Sequence, residues 1–105
     1  IMSKNNNRSL SKHNRLVKKK AEELKRKGHN VKADHLKGYD QPKKIGKDNR
    51  IPDIEATKNG RKQIIEVEKE KPSEAEKEQA STFRRSAAQQ KKTSFKQVRY
   101  KNNKK

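Results

Sequence analysis

The hydrophobic positions of this chain recur with two periods, which together predict its helices and strands. Helical spacing predicts a first helix over residues 12–27, followed by Gly28 as a helix-ending residue. The apolar stripe of this helix is formed by Leu16, Val17, Ala21 and Leu24. Alternation over residues 30–35 predicts a short strand whose one face carries Val31, Ala33 and His35. Residues 36–47 contain two glycines and a proline, and they predict a loop.

A β-hairpin is predicted in the middle of the chain. Residues 50–57 and 62–68 have the pattern of two strands, and Asn59-Gly60 between them is a strong signal for a two-residue turn. With these two residues at the turn, paired residues have numbers that sum to 119. A slip of one residue would turn every side chain to the other face, so this register decides which residues lie together.

The predicted register places two acids opposite each other, Asp53 on the first strand and Glu66 on the second. Opposed side chains share a face of the sheet, with their Cβ atoms ~4.5–5.5 Å apart. Glu68 lies two residues further along the same face. Like charges in this arrangement destabilise a sheet unless a hard cation or flanking basic side chains neutralise them. The opposite face would carry the core residues Ile54, Ala56, Ile65 and Val67.

The last third of the chain predicts a helix and a final strand. Residues 73–76, Ser-Glu-Ala-Glu, match a capping box, in which Ser73 and Glu76 bond the free amides at a helix start. The helix is expected to run to about Gln90, with one face formed by Ala75, Gln79, Phe83 and Ala87. Residues 94–100 alternate and predict a strand. The predicted order is therefore helix, three strands, helix, strand, an α/β fold.

The composition by itself favours disorder. The 105 residues carry a net charge of +18, and Leu, Ile, Val and Phe together number only 16, a level at which chains rarely bury enough apolar surface to fold. The periodic segments favour one domain over residues 10–100, between a disordered tail (1–9) and a basic tail (101–105). Because its core would be small, we expect a homodimer.

The charge is distributed unevenly along the chain. Residues 1–52 carry a net charge of +11 and residues 79–105 carry +9, whereas residues 53–78 carry −2. Basic segments bind polyanions by releasing counterions from phosphate, and an acidic segment between them is counterproductive unless a divalent cation neutralises it. The residues expected to contact nucleic acid are Lys18, Lys19, Arg50, Arg84, Arg85, Lys91 and Lys92.

Composition also argues against several classes of protein. No apolar run approaches the ~20 residues of a transmembrane helix, and no apolar segment indicates a signal peptide, so a cytoplasmic location is expected. The lack of cysteine excludes disulfides and Cys-ligated zinc. His13, His29 and His35 lack the spacing of a metal-binding set, and we expect ordinary surface or strand positions for them.

The acidic hairpin resembles a known catalytic motif. Ile51-Pro52-Asp53, a hairpin and then Ile64-Ile65-Glu66-Val67-Glu68 are similar to the motif of the PD-(D/E)XK nuclease superfamily, and the αβββαβ order over residues 16–100 is similar to its core. The small size and basic charge resemble its Holliday-junction-resolvase-like and phage-encoded members. The resemblance implies a restriction-endonuclease-like core, a mixed sheet flanked by helices, acting on DNA in a prokaryotic or phage-infected cell.

The resemblance implies roles for particular residues. Asp53 and Glu66, with the backbone carbonyl of Val67, would bind Mg²⁺ or Mn²⁺. Gln79 and Phe83 resemble the Gln-x-x-x-aromatic element of part of the superfamily, which implies that Gln79 lies near the phosphate. The implied catalytic residues are Asp53, Glu66, Glu68 and Gln79.

Two positions depart from the family pattern. Glu68 stands where the family usually has Lys, and the lysines that would replace it are Lys62, Lys69 or Lys71. Many members carry a Glu on the first helix, for which Glu23 is the substitute this chain offers. Three functions therefore stay open: a metal-dependent DNA endonuclease, a catalytically inactive nucleic-acid binder on the same fold, and a disordered basic RNA-binding protein.

Overall fold

The computed structural model of the protein describes residues 12–46, 49–69 and 71–100. These residues form six elements in the predicted order. The elements are helix α1 (Lys12–Arg26), strand β1 (Asn30–Ala33), strand β2 (Ile54–Lys58), strand β3 (Arg61–Lys69), helix α2 (Glu74–Gln89) and strand β4 (Thr93–Tyr100). The tails predicted over residues 1–9 and 101–105 lie outside the described residues.

The strands form a four-stranded mixed sheet in the order β1-β2-β3-β4. The first three strands pair antiparallel, and β4 pairs parallel to β3. A parallel neighbour needs a crossover connection, which α2 provides between β3 and β4. The prediction of an α/β fold with a mixed sheet is confirmed. No helix within the described ranges is long and apolar enough to cross a membrane.

The two helices cover opposite faces of the sheet. The larger core lies against α1 and joins Val17, Ala21 and Leu24 to the predicted sheet face, Ile54, Ala56, Ile65 and Val67. The smaller core lies against α2 and contains Ile64, Phe83 and Ala87. Because side chains of β3 alternate between the two faces, its acids at 66 and 68 lie on the side of α2.

The hairpin turn has the predicted residues and register. Asn59 and Gly60 have φ angles of 53° and 79°, which are the left-handed values that a type I′ turn requires at both positions. Lys58 pairs with Arg61 and Ile54 pairs with Ile65, so paired numbers sum to 119 as predicted. The α1 C-terminus also ends as predicted, because Gly28 adopts φ 93° and the His29 amide bonds the Leu24 carbonyl.

Two predicted strand boundaries are wrong. The strand predicted over residues 30–35 ends at Ala33, because His35 has a φ of 52° and cannot continue an extended chain. The strand predicted over residues 50–57 begins at Ile54. Pro52 has no amide hydrogen to donate to a neighbouring strand, and the Asp53 amide donates to the side chain of Glu66.

The buried face of α2 differs from the predicted one. Its buried residues are Ala80, Phe83 and Ala87, whereas Ala75 is exposed. A four-residue spacing advances by about 40° per step around a helix of 3.6 residues per turn. Over the three steps from Ala87 back to Ala75 this rotation carries Ala75 off the buried face. The predicted capping box of Ser73 and Glu76 is present.

Candidate active site

The hairpin brings the carboxylates of Asp53 and Glu66 together. The Asp53 amide donates to Glu66 Oε2 at 2.9 Å, and the Val67 amide donates to Asp53 Oδ2 at 2.8 Å. The Glu66 carboxylate is therefore held by the backbone just before β2, and the Asp53 carboxylate by the backbone of β3. This reciprocal bonding fixes the two acids side by side, as the register predicts.

Burial makes this carboxylate pair electrostatically costly. Glu66 is 6% exposed, and burial, reinforced by the negative charge of Asp53, raises the pKa of Glu66 to about 8. The hydrogen bonds from the Asp53 amide and from Gln79 act in the opposite direction. A buried carboxylate beside a second, partly buried one favours a proton or a cation at the pair.

His13, in the first turn of α1, contacts the pair. Its Nε2 lies 3.1 Å from Asp53 Oδ2 and its Nδ1 lies 3.1 Å from Asn14 Oδ1. The hydrogen bond to Asp53 raises the pKa of His13 to about 9, against the opposing effect of burial. The imidazolium thus donates from both nitrogens and partly neutralises the site at neutral pH.

The expectation of an ordinary surface position for His13 is wrong. The missed signal is the helical stripe itself, because His13 precedes the buried Val17 by four residues and so lies on the same face of α1. Glu23, the substitute that the chain offers for a first-helix glutamate, is instead paired with two lysines of its own helix: its carboxylate lies 3.7 Å from Lys20 Nζ and 3.4 Å from Lys27 Nζ. His13, rather than a glutamate, is the α1 residue at the carboxylates.

Gln79 connects the pair to the loop before β2. Its Nε2 donates to Glu66 Oε1 at 3.2 Å, and its Oε1 accepts from Arg50 Nη1 at 3.4 Å. The predicted site residue Gln79 is therefore beside Glu66. Arg50, predicted as a nucleic-acid contact, lies at the edge of the same cluster.

Glu68 is on the same face as Glu66 but is held by β4. It is 4% exposed and accepts a hydrogen bond from Gln97 Nε2. Burial raises the pKa of Glu68, and the charge of Glu76 adds to this effect, while Arg99 opposes it. Gln97 was not predicted, because its position opposite this strand depends on the parallel pairing of β4 with β3.

Of the three lysines that would replace the family's Lys, the two with described side chains have surroundings other than the carboxylate pair. Lys62 Nζ lies 3.4 Å from Glu55 Oε2, so that lysine belongs to a different ion pair. Lys71 is exposed and lines a cavity with Lys77 and Arg99. The side chain of Lys69 lies outside the described set.

A cavity of about 220 Å³ opens beside Asp53, between α1 and the segment after β1. His13, Asn14 and Lys18 line it together with Asp53. One predicted nucleic-acid contact, Lys18, therefore lines the same cavity as Asp53. The other predicted contacts outside the cluster, Lys19, Arg84, Arg85, Lys91 and Lys92, are exposed.

The donor set fits a magnesium-type ion that substrate and water complete. Within residues 12–46, 49–69 and 71–100, no group of three or more His, Cys, Asp or Glu is arranged as a complete metal site. Mg²⁺ commonly uses one or two carboxylates, with water and substrate phosphate as its other ligands. Asp53 and Glu66 supply two neighbouring carboxylates as hard oxygen donors, which suits this mode.

Comparison of the chain with protein-family models, with curated proteins and with solved structures gave no match. The functional assignment therefore depends on the residues and their geometry.

Proposed function

We propose that this protein is a metal-dependent endonuclease of the PD-(D/E)XK type that hydrolyses phosphodiester bonds of DNA, with branched DNA such as a Holliday junction as the preferred class of substrate. The reciprocal bonding of the Asp53 and Glu66 carboxylates across the hairpin carries this proposal. The αβββαβ order and the mixed sheet support a restriction-endonuclease-like core.

In this proposal, Asp53 and Glu66 hold Mg²⁺ or Mn²⁺, and the carbonyl of Val67 is a further ligand. The ion supplies Lewis acidity toward the scissile phosphate and offsets the charge that develops in the transition state. Glu68 acts as a base that orients the attacking water, and the 3′ oxygen leaves.

The neighbouring side chains position the metal-binding carboxylates. His13 fixes the rotamer of Asp53 through its 3.1 Å contact, and Gln79 fixes Glu66 through its 3.2 Å hydrogen bond. Partners that orient metal ligands commonly affect metal affinity or activity by about 10- to 100-fold. Arg50 holds the Gln79 amide in place and adds positive charge beside the phosphate position.

The high net charge supports DNA as the substrate. With 31 Lys and Arg residues against 13 Asp and Glu, the surface attracts polyanions strongly. This attraction supplies ground-state binding and is independent of sequence, so the rate enhancement has to come from the carboxylate site.

A cleavage assay tests the proposal. Supercoiled plasmid and a four-way junction are incubated with Mg²⁺ or Mn²⁺ and the parent, Asp53→Asn, Glu66→Gln or Glu78→Gln. Glu78 is an exposed acid directly before Gln79, so Glu78→Gln controls for the loss of one negative charge. We expect the parent and Glu78→Gln to nick DNA and the two site variants to lose at least about 100-fold in rate. Equal cleavage by all four proteins would refute the site.

A catalytically inactive nucleic-acid binder on the same fold is the second candidate. Glu68 in the family's Lys position, held by Gln97, favours it, since the site then lacks the usual cation near the attacking water. Absence of cleavage by the parent, with DNA binding intact, would support this candidate. A coil spectrum in circular dichroism without ligand would support the third candidate, a disordered basic protein.

A further inference from the structure

A second polar cleft lies on the α2 face of the sheet, away from His13. Its volume is about 220 Å³, and its walls come from the loop before β2, from the hairpin and from the end of α2. The basic residues in it are Lys43, Lys44 and Lys62, and the polar residues on the helix side are Ser86 and Gln90. Nothing in the proposed catalytic mechanism uses these residues.

A buried glutamate organises the cleft. Glu55 is 7% exposed, accepts from the Lys43 amide at 3.1 Å, and lies 3.4 Å from Lys62 Nζ. Three lysines and one glutamate leave the cleft with a net charge of +2. Because Glu55 bonds the backbone of Lys43, the Lys43 and Lys44 side chains can contact a ligand while the loop stays in place.

The loop that carries these lysines is packed tightly against α2. A Cβ built on Gly46 would approach Thr82 Cγ2 to 3.0 Å, so the backbone there lies against the helix. Ile45 and Arg50 exchange backbone hydrogen bonds of 2.7 and 3.0 Å, which close the base of the loop. The loop backbone beside the cleft is therefore closed by its own hydrogen bonds and lies against α2.

The cleft lies near the carboxylate site along the chain. Glu55 follows Asp53 by two residues of the chain, which is about 7 Å of extended backbone. At the other end, the Lys62 amide donates to the Lys92 carbonyl at 2.8 Å, so the cleft leads to a predicted nucleic-acid contact. Lysine charge thus extends from the loop before β2 to the residues that follow α2.

We propose that this cleft is a phosphate-binding subsite, which holds a backbone phosphate of the DNA strand close to the scissile bond. The distance to the scissile bond depends on the proposed nuclease function, whereas binding of the phosphate does not. The cleft offers suitable hydrogen-bond donors for a phosphodiester, namely the ammonium groups of Lys43 and Lys44, the hydroxyl of Ser86 and the side-chain amide of Gln90.

The test measures DNA binding in the presence of EDTA, because EDTA removes the divalent cation and so prevents metal-dependent cleavage. The variant Lys43→Ala/Lys44→Ala is compared with Lys77→Ala/Lys96→Ala, which removes the same charge from exposed lysines outside the cleft. Affinity for a short fluorescent duplex is measured by anisotropy over about 50–200 mM salt. The cleft variant keeps the Lys43 amide that bonds Glu55, and circular dichroism checks that both variants fold.

We expect the cleft variant to bind about 10-fold more weakly and to lower the slope of log affinity against log salt by about 1, since one phosphate contact contributes about 0.9 to that slope. The control variant should change the affinity less than about 3-fold, since it loses no direct contact. Equal affinity losses and equal slopes in the two variants would overturn the proposal, because the cleft lysines would then act only through net charge.

A second measurement locates the ligand. A 5′-phosphorylated thymidine dinucleotide is titrated into the metal-free, ¹⁵N-labelled protein, and we expect the amide shifts to concentrate at Gly46, Lys62 and Gln90. Shifts confined to other parts of the surface would contradict the proposal. If the parent does not cleave DNA yet the cleft variant shows the slope change, the nuclease proposal fails and the subsite stands. If the parent cleaves and the two double variants bind alike, the subsite alone fails.

Discussion

At the residue scale, the sequence predicts some of the residues of the candidate site and not others. Asp53, Glu66, Gln79 and the register that joins the two acids could be predicted, because a hairpin turn of known type determines pairing by counting. His13 was missed, because a contact across 40 residues of chain depends on how α1 packs on the sheet. Glu68 was placed on the right face, but its bond to Gln97 depends on β4, which pairs parallel after a long crossover.

The role of His13 gives the first prediction. His13→Ala should lower the rate of DNA cleavage by about 10- to 100-fold with a smaller change in KM, because Asp53 loses the partner that orients it. His13→Gln, which keeps a donor, should restore part of the rate. His29→Gln is the matched control, since His29 follows the C-terminal end of α1, away from Asp53. The idea fails if His13→Ala and His29→Gln have the same kcat.

The protonation of the site gives the second prediction. The folded state raises the pKa of His13 from 6.5 to about 9 and that of Glu66 from 4.5 to about 8. Both shifts favour the protonated forms in the folded state, so their contribution to stability is present at low pH and is lost as pH rises from about 5 to 9. The Tm of the metal-free protein should therefore fall over this range. In Glu66→Gln the fall should be shallower, and identical curves would contradict the assignment.

At the scale of elements, the hairpin is the unit that builds the site. The element order, the turn and the helix caps follow from local signals, and all of them appear in the structure. Local signals do not determine the end of β1, the start of β2 or the buried face of α2. These features depend on tertiary contacts such as the hydrogen bond from the Asp53 amide to Glu66. The cleft around Glu55 was also beyond sequence reasoning, since its walls come from three separate segments.

The turn gives the prediction at this scale. Gly60 has a φ of 79°, so Gly60→Ala should lower the free energy of unfolding by about 1 kcal/mol or more through backbone strain. Urea denaturation measures the change. Arg61→Ala, at the neighbouring exposed position, should stay within about 0.5 kcal/mol of the parent. Equal stability of the two variants would mean that the turn does not require its glycine.

At the scale of the whole molecule, the small core and the large charge act against each other. Two modest cores flank one sheet, and a net charge of +18 repels itself in a compact chain. Association would bury further apolar surface, and a two-fold dimer would present two sites to the two strands of a duplex or junction. We therefore predict a dimer of the 12.3 kDa chain in light scattering at moderate salt, and a mass of one chain at micromolar concentration would contradict this.

The central claim is that Asp53 and Glu66 share one cation. Mn²⁺ binding followed by electron paramagnetic resonance, in the absence of DNA, tests it most directly, since free and bound Mn²⁺ give different signals. We predict saturable binding of one Mn²⁺ per chain to the parent and to Glu78→Gln, and a loss of at least about 10-fold in affinity in both Asp53→Asn and Glu66→Gln. Unchanged Mn²⁺ affinity in the two site variants would contradict the account.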